Sequence, residues 1–230
     1  MDPRLTEVLA SAARLQQMVP DAVLVGGTAS ALHAGHRLSL DHDHVLLDLA
    51  ERYAQVVEAV EASEGWVTSV RASSPPLTLL GSLDGVEAGL RQLRRTRPLE
   101  VSEVEIDGRC ATVRVPPLPE MLRIKAYLVV QRNATRDYLD TAAMADRLGL
   151  PQAVEVLGSI DDYYADRSEQ GDSVVTTLVE RLAQPRPRDH RVTTQLEHYK
   201  GLEARWQDWA AVQAVCHALA DGIIRLLEPR

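Results

Sequence analysis

Apolar residues recur at helical spacing over residues 4–18, where Leu5, Val8, Leu9, Ala12, Leu15 and Met18 line one face, predicting an amphipathic helix that stops near Pro20. The pattern then changes to a short β-branched run, Val23-Leu24-Val25, halted by Gly26-Gly27, and Thr28 through Ala34 reads as a helix begun by Thr28. A second strand is expected from Ser39 to about Leu47, and residues 50–63 read as a helix ending before Gly65. Further strands are expected at 66–71, 77–80, 86–91, 99–106 and 110–115, with turns at Gly81, Asp84-Gly85 and Asp107-Gly108, the last fitting a tight hairpin.

Pro116-Pro117-Leu118-Pro119 closes this strand-rich region, and Pro119 sits where a helix can start. Helices are predicted at 120–132 and 136–148, the second ended by Gly149 and Pro151. One or two more fall in 151–183, a linker at Pro185 and Pro187, and a long helical region over 191–227 containing Trp206 and Trp209. The expected architecture is an α/β (α+β) domain over 1–116, a sheet flanked by helices, followed by a helical C-terminal domain over 117–230.

Composition narrows the classes. The chain of 230 residues is 45% hydrophobic and 25% charged, as globular proteins are, and no segment reads as the roughly 20 apolar residues of a membrane span. The start, MDPRLTEVLA, has no basic, apolar and small-residue signal pattern, so a cytoplasmic location without membrane partners is expected. The two cysteines, Cys110 and Cys216, are far apart and read as core residues rather than a disulfide or zinc framework. A net charge of -8 argues against general coating of nucleic acid. Two arginine clusters, Arg91-Gln92-Leu93-Arg94-Arg95-Thr96-Arg97 and Arg186, Arg188 and Arg191, suit either solvated surface or local phosphate contacts.

The chemistry concentrates at Asp41-His42-Asp43. Residues two apart on a strand project from one face about 6–7 Å apart, so two carboxylates can converge on a hard cation such as Mg²⁺, whose shell substrate phosphates complete. Alone, such a pair is ordinary on an exposed strand. Upstream, Gly26-Gly27-Thr28 joins a strand to a helix, where glycines admit a phosphate to the backbone and helix-start amides attract it. His42 and His44 alternate away from the carboxylates and read as hydrogen-bonded histidines under the sheet. For a third carboxylate Glu87 is the best candidate, and Asp84 reads as a turn former.

Turn, helix and D-x-D strand together resemble the DNA polymerase β-type nucleotidyltransferase superfamily. The stretch Leu24-Val25-Gly26-Gly27-Thr28-Ala29-Ser30-Ala31-Leu32-His33, with Gly35-His36-Arg37 and Ser39-Leu40-Asp41-His42-Asp43, is similar to the opening of AbiEii-type toxins, the group that includes the MenT toxins. Lys125-Ala126-Tyr127, Arg132 and Arg136-Asp137-Tyr138-Leu139-Asp140 match their downstream series. The resemblance spans about 22–149 and departs from the family at His42 and His44, where apolar residues are usual. It implies a nucleotidyltransferase-like mixed sheet, metal on Asp41 and Asp43, and Lys125 on nucleotide phosphates. It also implies Asp137 in the catalytic set, with Arg136, as a nucleotide contact, and Asp140 the weaker candidates; Arg132, seven residues from Lys125 and so on the same helical face, can meet a triphosphate beside it. The activity implied is transfer of a nucleoside monophosphate from an NTP, with Mg²⁺, to the 3′ end of tRNA, by a toxin with a cognate antitoxin. Adenylylation of a small molecule such as an antibiotic, and a nucleotidyltransferase-fold binding module that has lost turnover, are the alternatives.

Overall fold

The computed structural model describes residues 2–95, 97–106, 108, 111–164, 173–199 and 201–228. The expectations for Cys110, Asp107 and Thr96 lie outside these residues. The chain divides into two compact units, Met1–Arg94 with Pro98–Pro117, and Arg95–Arg97 with Leu118–Arg230.

The first unit opens with α1 (Pro3–Met18), capped by Asp2, whose carboxylate accepts from the Arg4 amide at 2.9 Å. There follow β1 (Val23–Val25), α2 (Gly26–Ala34), β2 (Asp41–Leu46), α3 (Tyr53–Glu61), β3 (Trp66–Thr68), β4 (Thr78–Leu83), β5 (Val86–Gln92), β6 (Ser102–Glu105) and β7 (Thr112–Val115). Five strands form a mixed sheet in the order β1-β2-β5-β4-β3, with β6 and β7 a separate ribbon. Among the described strands only β2 and β5 run parallel, because a chain segment containing α3 and the β3-β4 strands carries the chain back between them. Asp84 and Gly85 turn β4 into β5 with φ of 51° and 83°, the left-handed pair that a two-residue hairpin requires.

One face of this sheet is the core. Leu46, Leu79, Leu83, Ala88 and Leu90 pack with Leu15 and Val19 around α1 and with Val56 and Val60 of α3. The alternation buries His42, His44 and Leu46 on β2, while Asp41, Asp43 and Val45 stay half-buried on the other face. Thr28 does not begin α2: the helix starts at Gly26, and the Thr28 hydroxyl donates instead to the Asp41 carbonyl.

The second unit is helical. It contains α4 (Leu118–Arg132), α5 (Thr135–Leu148), α6 (Leu150–Gly158), α7 (Asp161–Tyr164), α8 (Val174–Ala183) and α9 (Trp209–Leu227). The long helix expected over 191–227 is only its last part. Short 3-10 turns lie instead at His190–Thr194, Leu196–His198 and Ala204–Gln207, and α9 begins where the Asp208 carboxylate accepts from the Ala210 amide. Paired threonines and the left-handed Gly201 favour turns over continuous helix in that stretch. The absence of any span-like segment also needs correcting, since Trp209–Leu227 has the length and mean hydropathy, 1.4, of one. Its Val212, Cys216, Leu219, Ala220 and Ile223 are buried, and α5, α6 and α8 pack against the helix. Burial pushes the Cys216 thiol up to about 12, in keeping with an inert core residue.

Candidate functional site

In the first unit the open face of the sheet gathers the acidic residues. Asp41 and Asp43 lie on β2, and in the parallel register Asp41 is opposite Glu87, Asp43 opposite Gly89, and Val45 opposite Arg91. Residues paired across strands share a face, so Glu87 stands beside Asp41 on the side away from the core. Glu87 is exposed.

Each aspartate has a partner. The Ser39 hydroxyl donates to Asp41 Oδ1 at 2.8 Å, and Arg91 Nε lies 3.2 Å from Asp43 Oδ1. Two glycines bracket Asp43. Gly26 holds φ at 76°, and a Cβ there would lie 3.3 Å from Asp43 Oδ2; a Cβ at Gly89 would lie 2.5 Å from Oδ1. The carboxylate therefore sits in a cradle of backbone that larger residues would fill. At Gly27 a Cβ would meet Ser39 Oγ at 2.5 Å and an Arg37 guanidinium nitrogen at 2.8 Å, which brings the buried Arg37 to the turn. The cap residue of α2, Val25, supplies no side-chain hydrogen bond to the helix start, so the first-turn amides at Gly26, Gly27 and Thr28 have no side-chain cap there.

The donors around Asp43 are oxygens on a half-exposed face with glycine on two sides, which fits a hard divalent cation such as Mg²⁺ better than a thiophilic one. Among the described residues no three His, Cys, Asp or Glu side chains already converge as a metal cluster. Asp41 and Asp43 are instead turned to Ser39 and Arg91.

Beneath the strand, His42 shares a hydrogen bond with Ser11 Oγ at 3.1 Å through Nε2, and its Nδ1 has no hydrogen-bond partner among the described residues. Both His44 nitrogens are also without one, so the expectation of hydrogen-bonded histidines holds for half of one ring only. The two rings meet edge to face at 5.2 Å. Burial lowers His42 to about 4, despite the Asp41 charge, and lowers His44 well below its ordinary range, with the His42 charge adding to the effect. Both are neutral at pH 7.

In the second unit Lys125, Asp137 and Asp140 form a buried ion cluster between α4 and α5. Lys125 Nζ is 2.7 Å from Asp140 Oδ2 and 3.7 Å from Asp137 Oδ1, and Arg132 Nε is 3.3 Å from Asp137 Oδ2. The heptad spacing thus sets Lys125 and Arg132 on one face of α4, where both meet Asp137. Burial raises the Asp137 pKa, opposed by the charges of Lys125 and Arg132. Arg136 is exposed at the start of α5.

Arg91 and Arg95 belong to the first arginine cluster, whose spacing alone does not separate partnered arginines from solvated charge. Arg95 is buried against Glu120, which also pairs with Arg123. The arginines at 94 and 97 are exposed, as are Arg186, Arg188 and Arg191. The signal for Arg91 was its even spacing from Glu87 and Gly89 on one strand, which gives all three the same face.

No family model matches the chain. Over 190 residues it is 30% identical to the heme uptake protein MmpL11 of Mycobacterium tuberculosis, and over 128 residues 33% identical to the mycolic acid-containing lipids exporter MmpL11 of Mycolicibacterium smegmatis. These matches take in 79% and 56% of this chain but only 19% and 13% of those proteins, so the chain spans less than a fifth of the length of the curated relatives it matches. Among solved structures, a candidate nucleotidyltransferase from Helicobacter pylori superposes with a TM-score of 0.54 at 16% identity, covering 97% of this chain and 95% of that one. JHP933 from Helicobacter pylori gives 0.53 at 16%, over 99% and 94%. An antigenic nucleotidyltransferase-like protein from Paracoccidioides brasiliensis gives 0.52 at 17%, over 88% and 96%. At such identities the likeness is one of fold: the chain has a nucleotidyltransferase-like fold, as its motifs implied.

Proposed function

We propose that this chain transfers a nucleoside monophosphate from an NTP to an acceptor hydroxyl. The observation that carries the proposal is the placement of Asp41 and Asp43 on the open face of β2, with Gly26 at the start of α2 beside Asp43, in a nucleotidyltransferase-like fold. Asp41 and Asp43 would hold Mg²⁺, which when bound supplies charge to align the triphosphate and to offset negative charge on the leaving group. The amides of Gly26, Gly27 and Thr28 receive phosphate oxygens. The acceptor oxygen attacks the α-phosphorus, the bond from that phosphorus to the bridging oxygen of the β-phosphate breaks, and pyrophosphate departs. Glu87, next to Asp41 in the register and exposed, takes the hydroxyl proton.

The toxin resemblance extends the proposal to Lys125, Arg132, Arg136 and Asp137 as the nucleotide-facing set, to the 3′ end of tRNA as acceptor, and to an antitoxin as partner. The experiment is incubation of the chain with each labelled NTP, Mg²⁺, total tRNA and a panel of small hydroxylated acceptors. Label on RNA, lost at least about 100-fold in Asp41→Asn and in Asp43→Asn with unchanged melting temperature, is the expected result. Labelling that survives both substitutions refutes it. The Arg91 contact to Asp43 and the buried His44 beneath the aspartates, without a hydrogen-bond partner among the described residues, favour a second reading, a binding module that keeps the fold without turnover. Calorimetry that shows no Mg²⁺-dependent NTP binding would select that reading over transfer.

A further inference from the structure

On the open face of the five-stranded sheet, Arg91 is a cation that the proposed chemistry leaves without a task. Arg91 follows Gly89 by two residues on β5, on the same face as Asp41, Asp43 and Glu87. Its Nε is 3.2 Å from Asp43 Oδ1, and the two side chains are 46% and 32% exposed. The glycine between them in register lets this approach happen, since a Cβ at Gly89 would lie 2.5 Å from the same oxygen. Three carboxylates on neighbouring positions of one sheet face repel, and a guanidinium at Asp43 relieves part of that repulsion. A metal held by Asp43 would compete with Arg91 for the charge of the same carboxylate. One carboxylate charge cannot serve both cations at full strength.

We infer that Arg91 is a counter-ion exchanged for the metal: it holds Asp43 when no divalent cation is present and turns to a phosphate oxygen of the nucleotide when one binds. The inference rests on the reading of Asp41 and Asp43 as the metal site. The half-exposed side chain can turn without disturbing the core, which lies on the opposite face of the sheet. A guanidinium released beside the metal presents a fork of donors suited to phosphate oxygens. Metal and nucleotide then reinforce each other, because the first frees a ligand for the second.

The test is calorimetric titration of the full chain with Mn²⁺ or Mg²⁺ alone, and then with ATP at saturating metal, for the unaltered protein, Arg91→Ala, Arg91→Lys and Arg71→Ala. Arg71 is an exposed arginine of the same unit, just beyond β3, and controls for net charge. Arg91→Ala should tighten binding of metal alone about two- to fivefold, the range an exposed ion pair allows. It should weaken ATP binding at saturating metal at least about fivefold. Arg91→Lys should fall between, and Arg71→Ala should change neither. Metal affinity unchanged or weakened in Arg91→Ala, or raised equally in Arg71→Ala, overturns the inference while the metal site stands. No binding of either ion to the unaltered protein overturns the metal reading and the inference together. Melting curves of the four proteins should coincide, since none of these substitutions reaches the core.

Discussion

Replacement of Lys125 by methionine separates a structural from a nucleotide-binding role for this residue. Its ammonium is 2.7 Å from Asp140 and 3.7 Å from Asp137, with 3% of the lysine side chain and 0% of each aspartate exposed. At an effective dielectric near 20 such contacts amount to roughly 6 and 4 kcal/mol of gross attraction, much of it offset by the desolvation of the ammonium. The outcome depends on what remains after substitution. Methionine fills the volume but leaves two buried carboxylates without their ammonium, a change that typically costs about 3–5 kcal/mol. Against a total stability of about 5–15 kcal/mol, urea denaturation followed by the fluorescence of Trp206 and Trp209 should show a large fall in midpoint. The double variant Lys125→Met/Asp140→Asn should recover at least about 1 kcal/mol of the loss, because it removes one uncompensated charge. The Asp137 pKa is already raised from 3.8 by burial, and loss of the lysine charge pushes it higher. The folded state then binds that proton more tightly than the unfolded chain, so the variant should regain stability as pH falls from 7 through the raised pKa toward 3.8. A loss below about 1 kcal/mol at pH 7, with no such recovery in acid, refutes the account of a buried cluster and returns Lys125 to a purely nucleotide-facing role.

Other substitutions probe the sheet. His42 is buried neutral with its pKa lowered to about 4, so the unfolded chain binds a proton that the folded one refuses between about 6.5 and 4. Stability should fall by about 3 kcal/mol as pH drops through that window, and His42→Leu should flatten the slope in a series of urea titrations; an unchanged slope contradicts neutral burial. Gly89→Ala would set a methyl 2.5 Å from Asp43 Oδ1. It should cost about 1–3 kcal/mol in thermal melts or, if the carboxylate yields, at least about tenfold in metal affinity, and a variant with neither change argues against the cradle.

Much of this molecule was legible in the order of its residues. The glycines that open α2, the alternation along β2 and the apolar spacing of α1 are local patterns, fixed by backbone sterics and by periods of two and 3.6. Pro116 and Pro117 mark the change from strands to helices for a similar reason, since their rings restrict the chain wherever they occur. The alternation also told which side of β2 the aspartates share. It did not tell what lies across from them. That Glu87, Gly89 and Arg91 stand opposite Asp41, Asp43 and Val45 follows from a parallel register between strands more than forty residues apart, which no local preference encodes. Nor could spacing distinguish Arg95, buried on Glu120, from the exposed arginines beside it, or Lys125 in an ion cluster from a lysine reaching toward a cleft. Burial of a charge depends on which partner arrives from another segment, and only the tertiary structure supplies that partner.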